Sequence, residues 1–316
     1  MLIQPAFPKI IDATSRRDYV SCPQKFFRST IQKLALKELS THLVAGGAYA
    51  RGLEVTRKAY YGKGLPADDA LNKGIEALWI AYGNHECPEK INKNPLRMVQ
   101  ALVDYFEEYP MKTDPMQPYR GADGEPAIEW TFALPIPGCI HPDTGLPIPY
   151  AGRFDMIGEF CANLYVVDEK TTTSLGPSWP NQWKLRSQLT GYCWAAQQYG
   201  IPVAGAIIRG ISILKTKFGH AQVLCQRPEW MISRWLLQLQ TDVKNMIQDY
   251  KQDKWSFNLD EACNQYGECP FMTLCESGNP DKWIDQYYRV RDWDPLKKNP
   301  EEDEQAILPP ERAFHA

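Results

Sequence analysis

The chain has 316 residues, with 35 Lys and Arg against 38 Asp and Glu and a formal charge of −3. A hydrophobic share of 44% is sufficient for a sizeable core and excludes a largely disordered chain. The charge excludes a histone-like polycation, although a basic groove is compatible with a balanced total. No apolar run reaches the ~18 uncharged residues of a membrane span, and the first residues lack a signal-peptide pattern. We therefore expect a cytoplasmic protein without a membrane segment.

Helical spacing of apolar residues dominates the first 110 residues. Thr14 or Ser15 is the expected N-cap of the first helix, because a side-chain hydroxyl there can accept a backbone N–H bond. The pattern predicts an extended piece followed by four helices, at 7–12, 16–36, 41–61, 67–82 and 94–108.

From residue 111 to 149 Pro and Gly become frequent, and alternating apolar residues then indicate strands. The expected strands and helices are at 127–134, 150–159, 164–170, 187–199 (helix), 203–214, 219–226 and 228–251 (helix). This order predicts an α/β protein with one integrated domain. Its parts are a helical N-terminal region (1–110), a sheet core (111–227), a C-terminal helix with a cysteine segment (228–290) and a polar tail (291–316).

Two acidic residues lie on neighbouring predicted strands, Asp155 on one and Asp168 in Asp-Glu-Lys on the next. Asp168 and Lys170 share a face because side chains alternate along a strand, and Asp155 can lie opposite them in a hairpin. Two carboxylates suit Mg²⁺ or Mn²⁺, which would acidify water and stabilise charge on a scissile phosphate, while Lys170 orients or deprotonates the nucleophile. Glu169 faces the other way and would offer its backbone carbonyl to the metal. The alternative is a solvated charge cluster at a strand end.

Further polar residues could complete this site. Glu54 ends a helical run rich in Gly and Ala, where close packing would bring its carboxylate to the metal. A salt bridge of Glu54 with Arg57 or Lys58 is the alternative. Gln188 and Tyr192 are four residues apart on a predicted helix and therefore share a face. That face could carry polar groups toward the carboxylates, or it could simply cover the sheet.

The nine cysteines are an odd number, which favours thiols or metal ligands over a complete disulfide framework. Cys263, Cys269 and Cys275 are evenly spaced near the C-terminus, and Cys22 is a natural fourth because, like Cys269, it precedes a proline. Four thiolates would bind an iron–sulfur cluster or, as a weaker candidate, Zn²⁺. Such a site would tie the first part of the chain to the last. Free thiols or a disulfide are the alternatives.

The order of these features resembles the PD-(D/E)XK nuclease superfamily over residues 14–276. The closest resemblance is to its iron–sulfur branch, which contains the Cas4 and AddB/RecB-type nuclease domains and phage-encoded relatives. It implies a restriction-endonuclease-like core, in which helices flank a central mixed sheet and the C-terminal segment closes a [4Fe–4S] cluster with an N-terminal cysteine. The residues that carry the implied roles are Asp155, Asp168 and Glu54 as metal ligands, Lys170 as the catalytic lysine, Gln188 and Tyr192 as supporting groups, and Cys22, Cys263, Cys269 and Cys275 as cluster ligands.

Two positions differ from the family pattern. Ala50 lies four residues before Glu54, where many members have a metal-binding histidine. The expected protein ligands of the metal are therefore the carboxylates. The first gap in the C-terminal cysteine triplet is longer than the usual family spacing. That spacing is closer to phage-type members than to Cas4.

The predicted function is that of a metal-dependent deoxyribonuclease, an exonuclease acting on DNA ends or single strands in recombination, repair or phage DNA processing. A single-strand annealing or recombination protein is a compatible partner, and an oligomer is compatible as well. Basic and aromatic side chains are expected to contact DNA, namely Lys25, Arg28, Arg51, Arg57, Lys58, Arg153, Lys184, Arg186, Trp179, Trp183 and Tyr192. The alternatives are a non-catalytic iron–sulfur module that binds nucleic acid or a recombination partner, a Cas4-like nuclease of CRISPR adaptation, and a redox-sensing iron–sulfur protein.

Overall fold

The computed structural model describes residues 5–264, 268–291, 294 and 296. The predicted polar tail therefore lies almost wholly outside the described residues. The chain divides into two compact units. We call the described part of residues 1–38, 131–153 and 233–315 the terminal unit, and residues 39–130 with 154–232 the core unit.

The described residues form ten α-helices and nine strands. The α-helices are α1 (Ala13–Ser21), α2 (Pro23–Phe26), α3 (Thr41–Arg57), α4 (Ala67–Tyr82), α5 (Pro95–Glu108), α6 (Ser187–Gln198), α7 (Glu229–Gln252), α8 (Glu261–Asn264), α9 (Met272–Glu276) and α10 (Asp281–Tyr287). The strands are β1 (Ile11–Asp12), β2 (Leu34–Leu36), β3 (Gln117–Pro118), β4 (Ile128–Ile140), β5 (Pro147–Phe160), β6 (Asn163–Thr172), β7 (Val203–Ile213), β8 (Phe218–Gln226) and β9 (Tyr288–Val290).

The first predicted helix is wrong in its start and in its length. Asp12 is the N-cap, because its Oδ1 accepts from Ser15 N at 2.6 Å while Ser15 Oγ accepts from Asp12 N at 2.9 Å. The helix stops at Cys22, whose φ of −165° and ψ of 114° are extended. Pro23 causes this break, since a proline disfavours helical geometry in the residue before it. The chain then forms a short π-helix, Phe27–Ile31, and enters β2.

In the terminal unit, α1 is joined to α7 by polar contacts. Arg16 Nε lies 2.7 Å from Asp242 Oδ2, and both side chains are buried. Tyr19 Oη donates to Asp249 Oδ2 at 2.7 Å. β1 runs parallel to the start of β5, and β2 pairs antiparallel with β9. These pairings connect segments that are far apart in sequence.

The core unit contains a mixed sheet in the order β5-β6-β7-β8. β6 is antiparallel to β5 and parallel to β7, and β8 is antiparallel to β7. Helices α3, α4 and α5 bury an apolar cluster together with Ile211 and Ile213 of β7. Gly52 and Gly74 allow the close approach of α3 and α4, because a Cβ on Gly74 would overlap Thr56 Oγ1. The predicted α/β class, with a mixed sheet and packed helices, is confirmed.

None of the described helices combines the length and the apolar character needed to cross a membrane.

Candidate active site and cysteine site

Three of the predicted site residues meet on the β5–β6 hairpin of the core unit. The register Met156↔Val167 places Asp155 and Asp168 next to that pair on adjoining strands. Asp168 is 2% exposed, and its Oδ2 lies 2.5 Å from Lys170 Nζ. Asp155 Oδ2 accepts a hydrogen bond from Glu169 N at 2.8 Å. The structure thus brings two carboxylates and one ammonium into a small cluster.

The electrostatics of the cluster favour a bound cation. Burial raises the pKa of Asp155, and the charge of Asp168 raises it further, against the opposing effects of Lys170, the Glu169 amide and Arg57. Burial opposes the charge on Lys170, but Asp168 and Asp155 outweigh it and raise the pKa of the ammonium. Asp168 Oδ2 has the ion-pair contact with Lys170, yet no hydrogen bond of good geometry among the described residues. A carboxylate that is buried and incompletely satisfied is costly unless a cation completes its shell.

The donor set fits a divalent ion held by two carboxylates. Among the described residues, no group of three or more His, Cys, Asp or Glu side chains converges closely enough to hold a metal ion. The role of Glu54 as a third ligand stays a prediction. Mg²⁺ commonly uses one or two carboxylates and leaves its other positions to water and substrate phosphate. Asp155 and Asp168 meet that requirement.

Glu54 on α3 makes the alternative contacts. Its Oε1 accepts from Lys58 Nζ at 2.7 Å and its Oε2 from Arg51 Nη1 at 3.0 Å. The carboxylate is buried, while Arg51 and Lys58 remain partly exposed. The salt bridge with Lys58 is thus confirmed, and Arg51 is an additional partner.

Glu169 is the centre of a buried network that the sequence did not reveal. Its side chain points away from Asp168, as strand alternation requires, and pairs with Arg57 of α3; both side chains are 5% exposed. Tyr105 Oη of α5 donates to Glu169 Oε1 at 2.7 Å, and Arg57 Nη2 lies 2.7 Å from the same hydroxyl. Burial opposes the charge of Arg57, but Tyr105 and Glu169 outweigh it and raise its pKa. Arg57 is therefore an internal ion-pair partner, not the DNA contact that was expected.

The network continues through Arg209 of β7. Its guanidinium forms a bidentate pair with Asp114, at 2.6 Å and 2.8 Å. Arg209 Nε also donates to Gln222 Oε1 at 2.8 Å. Tyr105 accepts from Arg209 Nη1 at 3.4 Å and so connects the two ion pairs. In the sequence, an arginine within an apolar strand pattern was the available sign of a buried charge. No neighbouring residue in the sequence indicated which acid would pair with it.

Gln188 and Tyr192 share a face of α6, as predicted. Gln188 Nε2 donates to Tyr192 Oη at 3.2 Å. The Tyr192 ring packs edge-on against Phe154, with 5.6 Å between ring centroids. Because Phe154 directly precedes Asp155, this contact supports the strand that carries the first carboxylate.

The loop before α6 presents charge rather than aromatic rings. Trp183 and Trp179 are buried against each other with ring centroids 5.4 Å apart, so neither offers an open face to a base. That burial corrects the expected stacking role of Trp183. Lys184 is exposed, and Arg186 lies half-buried over the Trp183 ring. Arg153 is half-buried on β5.

In the terminal unit the four predicted ligand cysteines line one small pocket. Cys22, Cys263, Cys269 and Cys275 all contribute to its wall. All four are free thiols, so the disulfide alternative is not observed. Cys22 Sγ accepts a hydrogen bond from Asn258 N at 3.4 Å.

The thiols of this cysteine pocket influence one another. Burial raises the pKa of Cys275, and Cys269, Cys22 and Cys263 raise it further, while Arg28 acts against them. Four thiols that line one pocket are a donor set that an iron–sulfur cluster or Zn²⁺ can use.

Comparisons with known proteins give one family. The family model of the PD-(D/E)XK nuclease superfamily matches residues 13–276. No curated protein matches the chain. Among solved structures, the chain is similar to one titled "Crystal structure of SSO0001", with 16% identity and a TM-score of 0.32, covering 74% of this chain and 85% of that one.

Proposed function

Because the chain belongs to the PD-(D/E)XK nuclease superfamily, we propose that it is a metal-dependent deoxyribonuclease that hydrolyses phosphodiester bonds at the β5–β6 hairpin. The observation that carries the proposal is the placement of buried Asp168 beside Lys170 and Asp155. We further propose that it acts as an exonuclease on DNA ends or single strands.

Each side chain of the hairpin site has its own role in the proposed hydrolysis. Asp155 and Asp168 would hold Mg²⁺ or Mn²⁺, with the Glu169 carbonyl as a further oxygen ligand. The bound ion would supply Lewis acidity toward the scissile phosphate and lower the pKa of a water. Lys170 Nζ, which forms an ion pair with Asp168 and donates to the Glu169 carbonyl at 3.2 Å, orients the attacking water and stabilises negative charge as it develops. Gln188 and Tyr192 support the strand that carries Asp155.

We propose that the cysteine pocket holds a [4Fe–4S] cluster with Cys22, Cys263, Cys269 and Cys275 as ligands. Such a cluster supplies folding free energy, because its ligands come from both ends of the terminal unit. The hydrogen bond from the Asn258 backbone N–H to Cys22 Sγ is of the kind that tunes cluster thiolates.

The nuclease proposal is tested on three substrates: linear duplex DNA, the same duplex with hairpin-closed ends, and a single strand. Wild-type protein with Mg²⁺ or Mn²⁺ should degrade the free-ended duplex or the single strand and spare the closed duplex, and EDTA should stop the reaction. Asp168→Ala should abolish cleavage while the circular dichroism spectrum stays unchanged. Glu159→Gln, an exposed change on the same strand as Asp155, is the matched control. Undiminished cleavage by Asp168→Ala would reject the assignment.

Cleavage of the closed duplex would replace the exonuclease proposal with an endonuclease. Absence of metal-dependent cleavage by the wild type, together with retained nucleic-acid binding, would instead support the non-catalytic module.

A further inference from the structure

The segment between β6 and α6 of the core unit folds over the face of the sheet that carries Lys170. In the register of β6 and β7, Lys170 lies opposite Gly210, so the Cβ positions of the two residues point to the same face. A Cβ on Gly210 would overlap the Trp179 ring. Because neighbouring strands lie roughly 4.8 Å apart, Trp179 stands one strand away from Lys170, on the face that also carries Asp168.

Trp183 and Arg227 hold this segment in place. Trp183 packs edge-on against Trp179, with ring centroids 5.4 Å apart. Arg227 is 3% exposed, and its Nη2 donates to the Trp183 carbonyl at 2.9 Å. Its Nε donates to Thr190 Oγ1 of α6, also at 2.9 Å. The segment is thus fixed both to the sheet and to the helix that follows it.

A tight turn at residues 183–186 projects from this support. Arg186 N donates to the Trp183 carbonyl at 3.2 Å, which leaves Lys184 and Leu185 as the two central residues of the turn. Leu185 is 80% exposed, the largest exposed fraction of any large apolar side chain among the described residues. Single exposed leucines are common on protein surfaces. Leu185 differs from them because a fixed turn presents it on the site face of the sheet, between two cations.

The part of the chain around Leu185 carries positive charge and no carboxylate. Although 38 of the 316 residues are acidic, none lies at positions 171–228. Lys184 is exposed, and Arg186 lies half-buried over the Trp183 ring, 5.9 Å from its centroid. Cations in a stretch without acids favour a polyanion. Among polyanions, a nucleic acid also offers base faces, against which a leucine side chain can pack.

We propose that Leu185 inserts into the base stack at the end of a DNA duplex and separates the two strands. In this arrangement Lys184 and Arg186 bind backbone phosphates on either side of the leucine, and one separated strand leads to Asp155 and Asp168. The inference rests on the proposed nuclease function and names the residue that opens its duplex substrate. Apolar side chains of this kind unstack base steps in DNA-binding proteins. The rigid support matters, because a side chain on a yielding loop would move aside instead of unstacking the bases.

The unstacking step is measured with 2-aminopurine, a base whose fluorescence rises when it leaves the stack. The base is placed next to the terminal pair of a duplex, and protein is added to saturation in EDTA so that no cleavage occurs. Wild type should raise the fluorescence, Leu185→Ala should lose most of the rise, and Leu185→Met, which keeps the apolar volume, should retain it. Leu96→Ala, which removes an exposed leucine from α5 of the same unit, is the control and should behave as wild type.

The salt dependence of duplex binding tests the role of the cations. Lys184→Met should weaken binding and reduce the slope of log K against log salt by about 0.9, the value for one phosphate of duplex DNA. Leu185→Ala should leave the slope unchanged, because it removes no charge. Lys73→Met, which removes a charge from an exposed position of α4, should keep the wild-type slope.

Cleavage rates in Mg²⁺ separate strand opening from a structural role. Leu185→Ala should degrade a free-ended duplex about tenfold more slowly than wild type, the loss for one base contact, and a single strand of the same sequence at the wild-type rate. Mismatches at the end of the duplex, which open it without protein, should restore the wild-type rate to the variant. A displaced or unfolded loop would instead slow the cleavage of both substrates.

Equal losses on duplex and single strand, or a wild-type rate on the duplex with an unchanged fluorescence rise, would overturn the inference and leave the nuclease proposal intact. A wild type that degrades single strands alone would overturn it as well. A wild type that cleaves none of these DNAs in Mg²⁺ or Mn²⁺ would refute the nuclease proposal, and the inference would fall with it.

Discussion

The ion pair between Arg57 and Glu169 is expected to be a major support of the hairpin that carries the site. Both side chains are 5% exposed. Arg57→Met would leave the Glu169 carboxylate buried, with the Tyr105 hydroxyl as its one remaining hydrogen-bond partner among the described residues. Breaking one side of a buried pair costs about 3–5 kcal/mol. At about 2–4 °C per kcal/mol for a unit of this size, the unfolding temperature should fall by about 10 °C.

A double-mutant cycle measures the coupling free energy between Arg57 and Glu169. Wild type, Arg57→Met, Glu169→Gln and the double variant are unfolded with urea and heat, in one buffer without divalent metal. Because Glu169→Gln removes the stranded charge, the double variant should be less destabilised than the sum of the singles by about 2 kcal/mol or more. Arg51→Met, on the same helix but in a partly exposed pair, should cost about 0–1 kcal/mol. Additivity of the two core changes within about 0.5 kcal/mol would refute the reasoning.

Two other predictions follow from the carboxylates and the cysteines. Since the folded pKa of Asp155 is raised, its ionisation destabilises the metal-free fold, and stability is lost as pH rises through that pKa. Asp155→Asn should therefore unfold at a higher temperature than wild type at pH 7 in EDTA, and the difference in unfolding temperature should close as pH falls. Added Mg²⁺ should no longer stabilise the variant. A variant that is less stable than wild type at pH 7 would contradict the predicted destabilisation by the ionised carboxylate. Cys22→Ser should lose the visible absorption and iron content of anaerobically purified protein, whereas Cys161→Ser, an exposed thiol outside the pocket, should retain both; a colourless wild type that contains zinc would refute the cluster and leave the nuclease proposal intact.

The periodicity of apolar residues and the order of the predicted helices and strands predicted most elements of the core unit. Strand alternation correctly assigned Asp168 and Glu169 to opposite faces, and the hairpin that brings Asp155 to Asp168 follows from two adjacent strands. These are local features, so a single sequence carries them.

The contacts that could not be predicted join residues far apart in the chain. Arg57 has Glu54 and Lys58 nearby in sequence and resembles a surface base, but its partner Glu169 lies 112 positions away. Lys93 sits in a polar segment that indicates an exposed loop, yet the fold buries it. Pro23 did carry a usable local signal, because a proline at that place ends the preceding helix. Trp183 shows the converse, since composition alone cannot separate a buried aromatic from one that binds a base.

The dependence of DNA hydrolysis on Mg²⁺ concentration tests the central claim most directly. Initial rates on one labelled linear DNA are compared for wild type, Asp155→Asn and Glu159→Gln. We predict saturable, metal-dependent rates for wild type and Glu159→Gln, and a loss of at least a hundredfold for Asp155→Asn at every metal concentration. An Asp155→Asn variant with the wild-type rate and metal dependence would contradict the placement of the metal and the chemistry at the β5–β6 hairpin.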